Sequence, residues 1–497
     1  MTIYYPKSAP IIGAKKLRKY YHTLFNSIIQ SFYKYKYLCI ILFVTIIGFL
    51  IRFQSAFVES YWNDELFSAW VSNPNNSIEE VFRKTSIEDV HPPIYQIILW
   101  LLYSVFGYNE FTGKILSVIL GTATIPVFYL LGKKLISKEF GIILATLITF
   151  NQFTYFYSTE VRSYSLILFL STLSLLFLVK FIQFPEYTNL LVLINLMGIA
   201  SLSHYFGTYI GISYIPIILS QFLNNFRSHR RKFSILKSIV IFLNTIIYLL
   251  AVLYLVKNRI GSSGIWIEQP GKEFILEYLQ IYFGSREIIL FIFIVSILGF
   301  IFHSLGNRHK GINKLMLGLV SGIILAYLLA YIQGILFFPV LSPRNTIILL
   351  PPILFIIGFF ISKIPYSYLR FFILSIYILF FLKINYIDKD YRSCHRCQDW
   401  RGLSKFIAEN HSGYEVYGLK WTSDYFNVYL NWMNSDLQVK SYHTISNLQW
   451  KKIATNQVWI IDCHTPEIEK EFPANQFNYN KIVKLVGAEA YLIAIKK

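Results

Sequence analysis

Two adjacent acids in a polar segment are the clearest candidates for chemistry in this sequence. Asp64 and Glu65 end the stretch Tyr61-Trp62-Asn63-Asp64-Glu65, which comes shortly after the first long apolar run, and His91-Pro92-Pro93 follows downstream. One carboxylate of such a pair can take a proton from an incoming hydroxyl or amine, while its neighbour tunes its basicity by repulsion or a hydrogen bond. The pair therefore suits general-base chemistry.

Further ionisable residues fall on the same side of the membrane in the topology predicted below. Taken singly, each has an ordinary explanation, since loop acids are usually solvated, histidines can cap helices and an arginine can reach lipid headgroups. Ionisable groups near a membrane are costly to bury, however, so a cluster of them at one depth indicates a functional site, and arginine and histidine suit a phosphate. The members of this cluster, besides Asp64 and Glu65, are His91, Glu160, Arg162, His204 and Arg344.

The composition is that of a polytopic α-helical membrane protein. The chain has 497 residues, 55% of them hydrophobic, and a mean hydropathy of +0.48. Many apolar runs approach the roughly 20 residues that span a bilayer as a helix. The formal net charge is +19, but the Lys and Arg residues lie in short clusters between apolar runs, which is typical of cytoplasmic loops and argues against nucleic-acid binding.

The basic clusters also predict an orientation. The first 36 residues contain seven Lys or Arg and no acid, which predicts a cytoplasmic N-terminal segment followed by an uncleaved signal anchor. The aromatic-rich run 94–106 is short for a span, so we expect it to lie in the outer interface. About eleven transmembrane helices are then predicted, at 37–51, 111–131, 141–153, 164–179, 190–202, 208–222, 235–256, 288–302, 315–336, 346–361 and 371–383.

This topology divides the chain into three parts. Residues 1–36 form the cytoplasmic segment, 37–385 the transmembrane domain with a first outer loop at 52–110, and 386–497 an extracytoplasmic α/β domain. The last part is ordinary in polarity, and β-prone runs at 414–419 and 457–461 alternate with helix-like segments such as 402–408. All the candidate residues lie on the outer side in this arrangement, so we expect an outward-facing pocket built from several helix ends.

The cysteines and possible metal ligands leave two questions open. Cys394 and Cys397 could form a local disulfide, one of them could pair with Cys463, or the thiols could be free. Asp64, Glu65 and His91 are ligand types that a divalent metal accepts, but their spacing matches no compact metal-binding motif.

Several motifs in the first 210 or so residues resemble glycosyltransferase family 39, which includes protein O-mannosyltransferases and the lipid A aminoarabinose transferase and has the membrane-embedded GT-C architecture. Pro343-Arg344-Asn345 with Leu350-Pro351-Pro352 adds a weaker match. The order and spacing of the motifs carry the resemblance more than any one of them. The main motifs are Trp62-Asn63-Asp64-Glu65, His91-Pro92-Pro93-Ile94-Tyr95, Phe106-Gly107-Tyr108-Asn109-Glu110-Phe111, Tyr157-Ser158-Thr159-Glu160-Val161-Arg162-Ser163-Tyr164 and Ser203-His204-Tyr205-Phe206-Gly207.

The resemblance implies an inverting glycosyltransferase that moves a sugar from a polyprenyl-phosphate carrier to a lipid, glycan or protein acceptor at the outer face of the membrane. Asp64 matches the catalytic acid of the family, with Glu65 beside it as support. A polyprenyl phosphate leaves as a stable anion, so it needs cationic or hydrogen-bonding contacts more than a proton. The residues expected to bind the donor phosphate or substrate are His91, Glu160, Arg162, His204, Tyr205 and Arg344.

Two other classes of function remain as alternatives. A transporter or flippase of lipid-linked sugars would need polar groups near the bilayer midplane and access from both sides. A non-catalytic envelope assembly protein would depend on its outer domain and would tolerate the loss of Asp64.

Overall fold

The computed structural model describes residues 14–89, 91–227, 235–257, 267–306, 310–388, 398–442, 457–463 and 468–495. Its first part is helical, as the apolar runs predict. The helices are α1 (Ala14–Ala56), α2 (Asn63–Val71), α3 (Ile78–Glu88), α4 (Ile94–Phe106), α5 (Glu110–Leu135), α6 (Lys138–Thr149), α7 (Gln152–Tyr157), α8 (Tyr164–Gln183), α9 (Tyr187–Ser203), α10 (Gly207–Arg227), α11 (Ile235–Lys257), α12 (Phe274–Phe283), α13 (Arg286–Leu305), α14 (Lys310–Leu336), α15 (Leu350–Lys363) and α16 (Ser367–Leu382), with a 3-10 helix at Asn345–Leu349 and a π-helix at Lys383–Ile387.

Each of the eleven predicted spans corresponds to one of these helices. Among the described residues, eight helical segments are long and apolar enough to cross a membrane, and they belong to α1, α5, α8, α11, α13, α14, the 3-10 helix joined to α15, and α16 joined to the π-helix. The other three predicted spans correspond to α6, α9 and α10. The run at 94–106 is the separate short helix α4. The predicted polytopic helical fold is confirmed.

Close helix packing brings α5 and α6 together around two glycines. A Cβ atom added to Gly132 of α5 would lie 2.7 Å from the Cα of Gly141 of α6, so the two backbones meet there. Small residues allow such approaches between membrane helices, where packing replaces the hydrophobic effect as the main source of stability.

A buried arginine fixes α1 against the end of α6. The Arg52 guanidinium donates to the carbonyl of Gly48 at 3.0 Å and to the carbonyls of Ile148 and Thr149 at 3.4 and 3.3 Å. The last carbonyls of a helix lack intrahelical partners and carry the negative end of its dipole, so they suit this cation. Arg52 thereby holds α1 in place near its C-terminal end, just before the polar segment that leads to α2.

The C-terminal part is the small α/β unit that the sequence predicts. Its elements are α17 (Trp400–Asn410), β1 (Glu415–Leu419), α18 (Lys420–Trp432), β2 (Lys440–Tyr442), β3 (Gln457–Cys463), α19 (Ile468–Glu471), β4 (Phe477–Leu485) and β5 (Ala488–Ile495). The strand order is β2-β1-β3-β5-β4; β1 is parallel to β2 and β3, while β5 is antiparallel to β3 and β4. Helix α18 packs against α2, so the sheet unit contacts the helix that carries Asp64.

Candidate active site

A polar cavity lies where several helices of the membrane domain end and α18 of the C-terminal unit begins. Its volume is about 250 Å³. Three sequence-predicted residues from distant parts of the chain, Asp64, Arg162 and Arg344, contribute to its wall. The full lining is Asn63, Asp64, Phe67, Glu88, Asp89, Arg162, Arg344, Trp421 and Tyr425.

Asp64 presents a partly exposed carboxylate to this cavity. It lies in the first turn of α2, where the helix dipole favours a negative charge. Its Oδ2 is 3.1 Å from Nη1 of Arg344, and the two side chains are 31% and 14% exposed. The carboxylate is therefore fixed by a cation and still reachable from the cavity, as a general base must be.

Glu65 has a different environment from its neighbour. Its Oε1 is 2.7 Å from Nζ of Lys114 and accepts the backbone N–H of Val161, also at 2.7 Å, while its Oε2 accepts the N–H of Trp62 at 3.2 Å. The ion pair is almost completely buried. Glu65 thus joins the start of α2 to α5 and to the segment before α8, which makes it a positioning residue for Asp64.

Lys114, the ion-pair partner of Glu65, is a residue that the sequence reasoning did not identify. It lies in α5, in the predicted span 111–131, and is buried. A lysine within a membrane span requires a partner, and this signal was available in the sequence. The identity of the partner was not, because Glu65 is 49 residues away.

Arg162 is also paired with a carboxylate that sequence analysis missed. Its Nη2 lies 3.0 Å from Oδ1 of Asp89 and its Nη1 lies 3.3 Å from Oδ2, and Nη1 also donates to Ser68 Oγ at 3.2 Å. Burial alone would lower the pKa of Arg162, but the negative charges of Asp89 and Asp64 outweigh it and raise the pKa. Arg162 is therefore a fixed cation at the wall of the cavity whose charge Asp89 balances.

The two candidate histidines contact each other and lie outside the cavity lining. The ring centroids of His91 and His204 are 4.2 Å apart, and neither imidazole belongs to the cavity lining. Nδ1 of His204 accepts the backbone N–H of Phe206 at 3.0 Å, which places the proton of the neutral ring on Nε2. Burial, with the nearby charges of Arg162 and Arg344, lowers the pKa of His204 to about 3. His204 is neutral at physiological pH and offers a neutral N–H rather than a cation.

The remaining two predicted residues also lie outside the cavity lining. Glu160 is buried, and its carbonyl accepts a hydrogen bond from Ser117 Oγ of α5. Tyr205 is half-buried, and its carbonyl accepts from Thr208 Oγ1 at 2.8 Å. Both belong to the turns that shape the site.

The C-terminal unit holds the loop that leads to Asp64. Ser60 Oγ donates to the carbonyl of Gln398 at 2.7 Å, the N–H of Asn63 donates to Gln398 Oε1 at 3.1 Å, and the N–H of Tyr61 donates to the hydroxyl of Tyr429 at 2.7 Å. These bonds join positions more than three hundred residues apart. The segment that begins α2 is therefore fixed from both domains.

An ion pair at the same interface adds to this attachment. Arg401 donates to the two carboxylate oxygens of Glu110 at 2.8 and 3.0 Å and to the carbonyl of Glu59 at 3.0 Å. The hydroxyl of Tyr429 donates to Glu110 at 3.1 Å. Glu110 starts α5, so the membrane domain and the C-terminal unit are joined directly behind the Asp64 loop.

The possible metal ligands and the cysteines have the following places in the structure. Within the described ranges, no three His, Cys, Asp or Glu side chains are grouped so that they could hold a metal ion. Cys394 and Cys397 lie outside the described residues. Cys463 is buried, and its thiol donates to the carbonyl of Gly487 at 3.1 Å.

Comparison with known proteins gives one family match and several similar folds. Residues 90–256, about a third of the chain, match the family described as dolichyl-phosphate-mannose-protein mannosyltransferase. No curated protein sequence matches. The crystal structure of ArnT from Cupriavidus metallidurans bound to undecaprenyl phosphate has a TM-score of 0.58 and 10% identity, covering 91% of this chain and 97% of that one. The same protein in the apo state gives a TM-score of 0.57 with the same identity and coverage.

Proposed function

This chain is a GT-C membrane protein similar to glycosyltransferase family 39, and on that premise we propose that it is an inverting membrane glycosyltransferase. The proposed donor is a sugar on a polyprenyl-phosphate carrier, and the acceptor is a lipid, glycan or protein at the outer face of the membrane. The observation that carries the proposal is the partly exposed carboxylate of Asp64, paired with Arg344 in a polar cavity at the ends of the membrane helices.

The reaction needs a base on one side of the sugar and an anion site on the other. In the proposed step, Asp64 accepts the proton of the acceptor hydroxyl or amine while the acceptor atom forms a bond to the anomeric carbon. The bond from that carbon to the phosphate oxygen breaks, and its electron pair leaves with the polyprenyl phosphate. Displacement from the opposite face inverts the anomeric centre.

Arg344 is suited to the leaving phosphate because it is a cation whose partner is only partly buried. A phosphate entering the cavity would compete with Asp64 for the Arg344 guanidinium, which binds phosphate as readily as carboxylate. This exchange would free the Asp64 carboxylate for proton transfer when the donor is in place. Arg162 would remain with Asp89 and contribute a fixed positive field.

A lipid-linked donor agrees with the placement of the cavity. The residues that line the cavity come from helix starts and from turns between apolar helices. The phosphate of a lipid carrier lies at the boundary between hydrocarbon and water, where such helix ends are found. The similar structure of ArnT is bound to undecaprenyl phosphate, a carrier of the proposed class. The location of the basic clusters, such as Lys133 and Lys134 at the other end of α5, favours the outer face for the cavity.

The same placement argues against transport as the main activity. A flippase would require polar groups along a path through the middle of the bilayer. Here the polar candidates Asp64, Arg162 and Arg344 meet at one end of the helices, and the C-terminal unit covers them through Trp421 and Tyr425.

The test uses cells that lack the gene and carry the wild type, Asp64→Asn or Asp388→Asn. Asp388 is the control because it is also an aspartate in an ion pair, with Lys383 at 3.3 Å, but does not line the cavity. We expect the wild type and Asp388→Asn to restore the missing glycan, and Asp64→Asn to leave it absent while the carrier-linked sugar accumulates. Normal transfer by an Asp64→Asn protein present at wild-type levels would exclude the proposed base.

A further inference from the structure

Two aromatic residues of the C-terminal unit form part of the cavity wall. Trp421 and Tyr425 are four residues apart on α18 and therefore lie on one face of that helix, with ring centroids 5.3 Å apart. Trp421 is 41% exposed, which is unusual for the largest side chain in a wall position. Tyr425 is buried beneath it and packs edge-on against Trp400 at 5.8 Å.

Apart from Phe67 of α2, the rest of the cavity lining is polar and charged. It carries the Asp64–Arg344 and Arg162–Asp89 pairs, whose oxygens and N–H groups can form directed hydrogen bonds. Tyr425 and the proposed base Asp64 line the same cavity, and burial together with the negative charge of Asp64 raises the pKa of the Tyr425 phenol. The cavity lining therefore combines an aromatic pair from α18 with charged, hydrogen-bonding groups from the membrane domain.

A sugar ring has matching faces. Its C–H bonds carry partial positive charge and suit the negative face of an aromatic ring, whereas its hydroxyls require donors and acceptors. The cavity volume of about 250 Å³ is below the roughly 300–1,000 Å³ of pockets that hold drug-sized ligands, so it suits one ring rather than an oligosaccharide.

The aromatic pair is also fixed relative to the proposed base. Tyr429, one further turn along α18, accepts the N–H of Tyr61 at 2.7 Å and donates to Glu110 at 3.1 Å. Only two residues separate Tyr61 from Asp64. The hydrogen bonds that attach α18 to the membrane domain therefore also set the position of Trp421 over the cavity.

We propose that Trp421, supported by Tyr425, is the platform on which the ring of the donor monosaccharide stacks, so that the C-terminal unit determines sugar recognition. This proposal rests on the proposed function. In this proposal Trp421 binds the sugar ring, whereas Arg344 binds the phosphate of the carrier.

The test measures binding to purified protein in lipid nanodiscs, with bare polyprenyl phosphate and with polyprenyl phosphates that carry mannose, glucose or an aminopentose. For the wild type, we expect one of the sugars to bind more tightly than the bare phosphate. Trp421→Ala should lower that affinity about tenfold, equivalent to about 1.4 kcal/mol, and leave the affinity for the bare phosphate unchanged. Trp421→Phe should restore part of the loss because it keeps an aromatic face. Tyr386→Ala is the control, since Tyr386 is also 41% exposed and does not line the cavity.

The outcomes separate this proposal from the function on which it rests. If Trp421→Ala weakens binding of bare phosphate and sugar phosphate equally, Trp421 acts on the membrane or on folding, and the platform is excluded. The platform is also excluded if the variant weakens neither, or if no sugar adds affinity in the wild type. If the wild type binds neither ligand, or Asp64→Asn transfers sugar normally in cells, the proposed function itself is wrong.

Discussion

The buried ion pair between Glu65 and Lys114 allows a quantitative test of how the site is held together. We consider Glu65→Gln, which keeps the shape of the side chain and removes its charge. The change leaves the Lys114 ammonium without its carboxylate in a place where the two side chains are 5% and 2% exposed. Breaking a buried pair in this way costs about 3–5 kcal/mol, because an uncompensated charge stays out of water.

A second glutamate, Glu139, forms an ion pair of the same length and provides a matched control. Glu139 Oε1 is 2.7 Å from Nη2 of Arg370, as Glu65 Oε1 is from Nζ of Lys114. The Glu139 side chain is 43% exposed, so water can replace its partner. Exposed pairs contribute about 0–1 kcal/mol, and Glu139→Gln should cost no more than that.

The assay is unfolding of the purified protein in mixed micelles by increasing SDS, followed by near-UV circular dichroism. We expect the free energy of unfolding to fall by about 3–5 kcal/mol for Glu65→Gln and by less than about 1 kcal/mol for Glu139→Gln. The double variant Glu65→Gln/Lys114→Met removes the unpaired charge as well and should recover most of the loss. Equal effects of the two single variants would refute the reasoning from burial, and so would a double variant less stable than Glu65→Gln.

Two further predictions concern the domain interface and acid stability. Arg401→Met should remove the contacts with Glu110 and Glu59, increase hydrogen exchange in 398–432 measured by mass spectrometry, and lower the rate of sugar transfer severalfold without loss of the membrane fold. His204 has a pKa of about 3 in the folded protein against about 6.5 when unfolded, so the unfolded state binds more protons between these values and stability falls as the pH falls below about 6.5. From pH 6.5 to pH 5, the wild type should lose about 2 kcal/mol more than His204→Gln in the same SDS assay.

The prediction for the domain interface and the prediction for acid stability each have a control and a result that would contradict them. Arg286→Met removes an arginine outside the interface contacts at the start of α13, and unchanged exchange in both arginine variants would mean that the Glu110 contact does not hold the domains together. For acid stability, the groups that act on His204 are Arg162 and Arg344, with His91 against its ring. Parallel pH profiles for the wild type and His204→Gln would show that the imidazole does not stay neutral in the folded protein.

The helical fold could be predicted because its signals are local. A helix that crosses a bilayer must satisfy its own backbone hydrogen bonds and expose apolar side chains, so each span shows as a continuous run. All eleven predicted runs correspond to helices, and the strands at 415–419 and 457–463 follow the β-prone runs of the C-terminal part. The short run at 94–106 likewise forms its own helix, α4.

The partners in the site could not be predicted in the same way. Adjacent residues of a helix point about 100° apart, so the sequence Asp64-Glu65 shows two acids but not which one faces a cavity. The setting of α2 decides this, and it turns Asp64 toward Arg344, 280 residues away, and Glu65 toward Lys114. Ion pairs between residues so far apart in the chain leave no periodic pattern in the sequence from which they could be predicted.

The sequence by itself determined that this is a polytopic helical membrane protein and that a small α/β unit follows the membrane helices. Tertiary structure alone decided that Asp89 neutralises Arg162, that His204 is buried and neutral, and that Trp421 of α18 completes the cavity. The physical reason is that hydrophobic runs and turns act through neighbours in the chain. Ion pairs, burial and cavity walls depend on how distant helices pack.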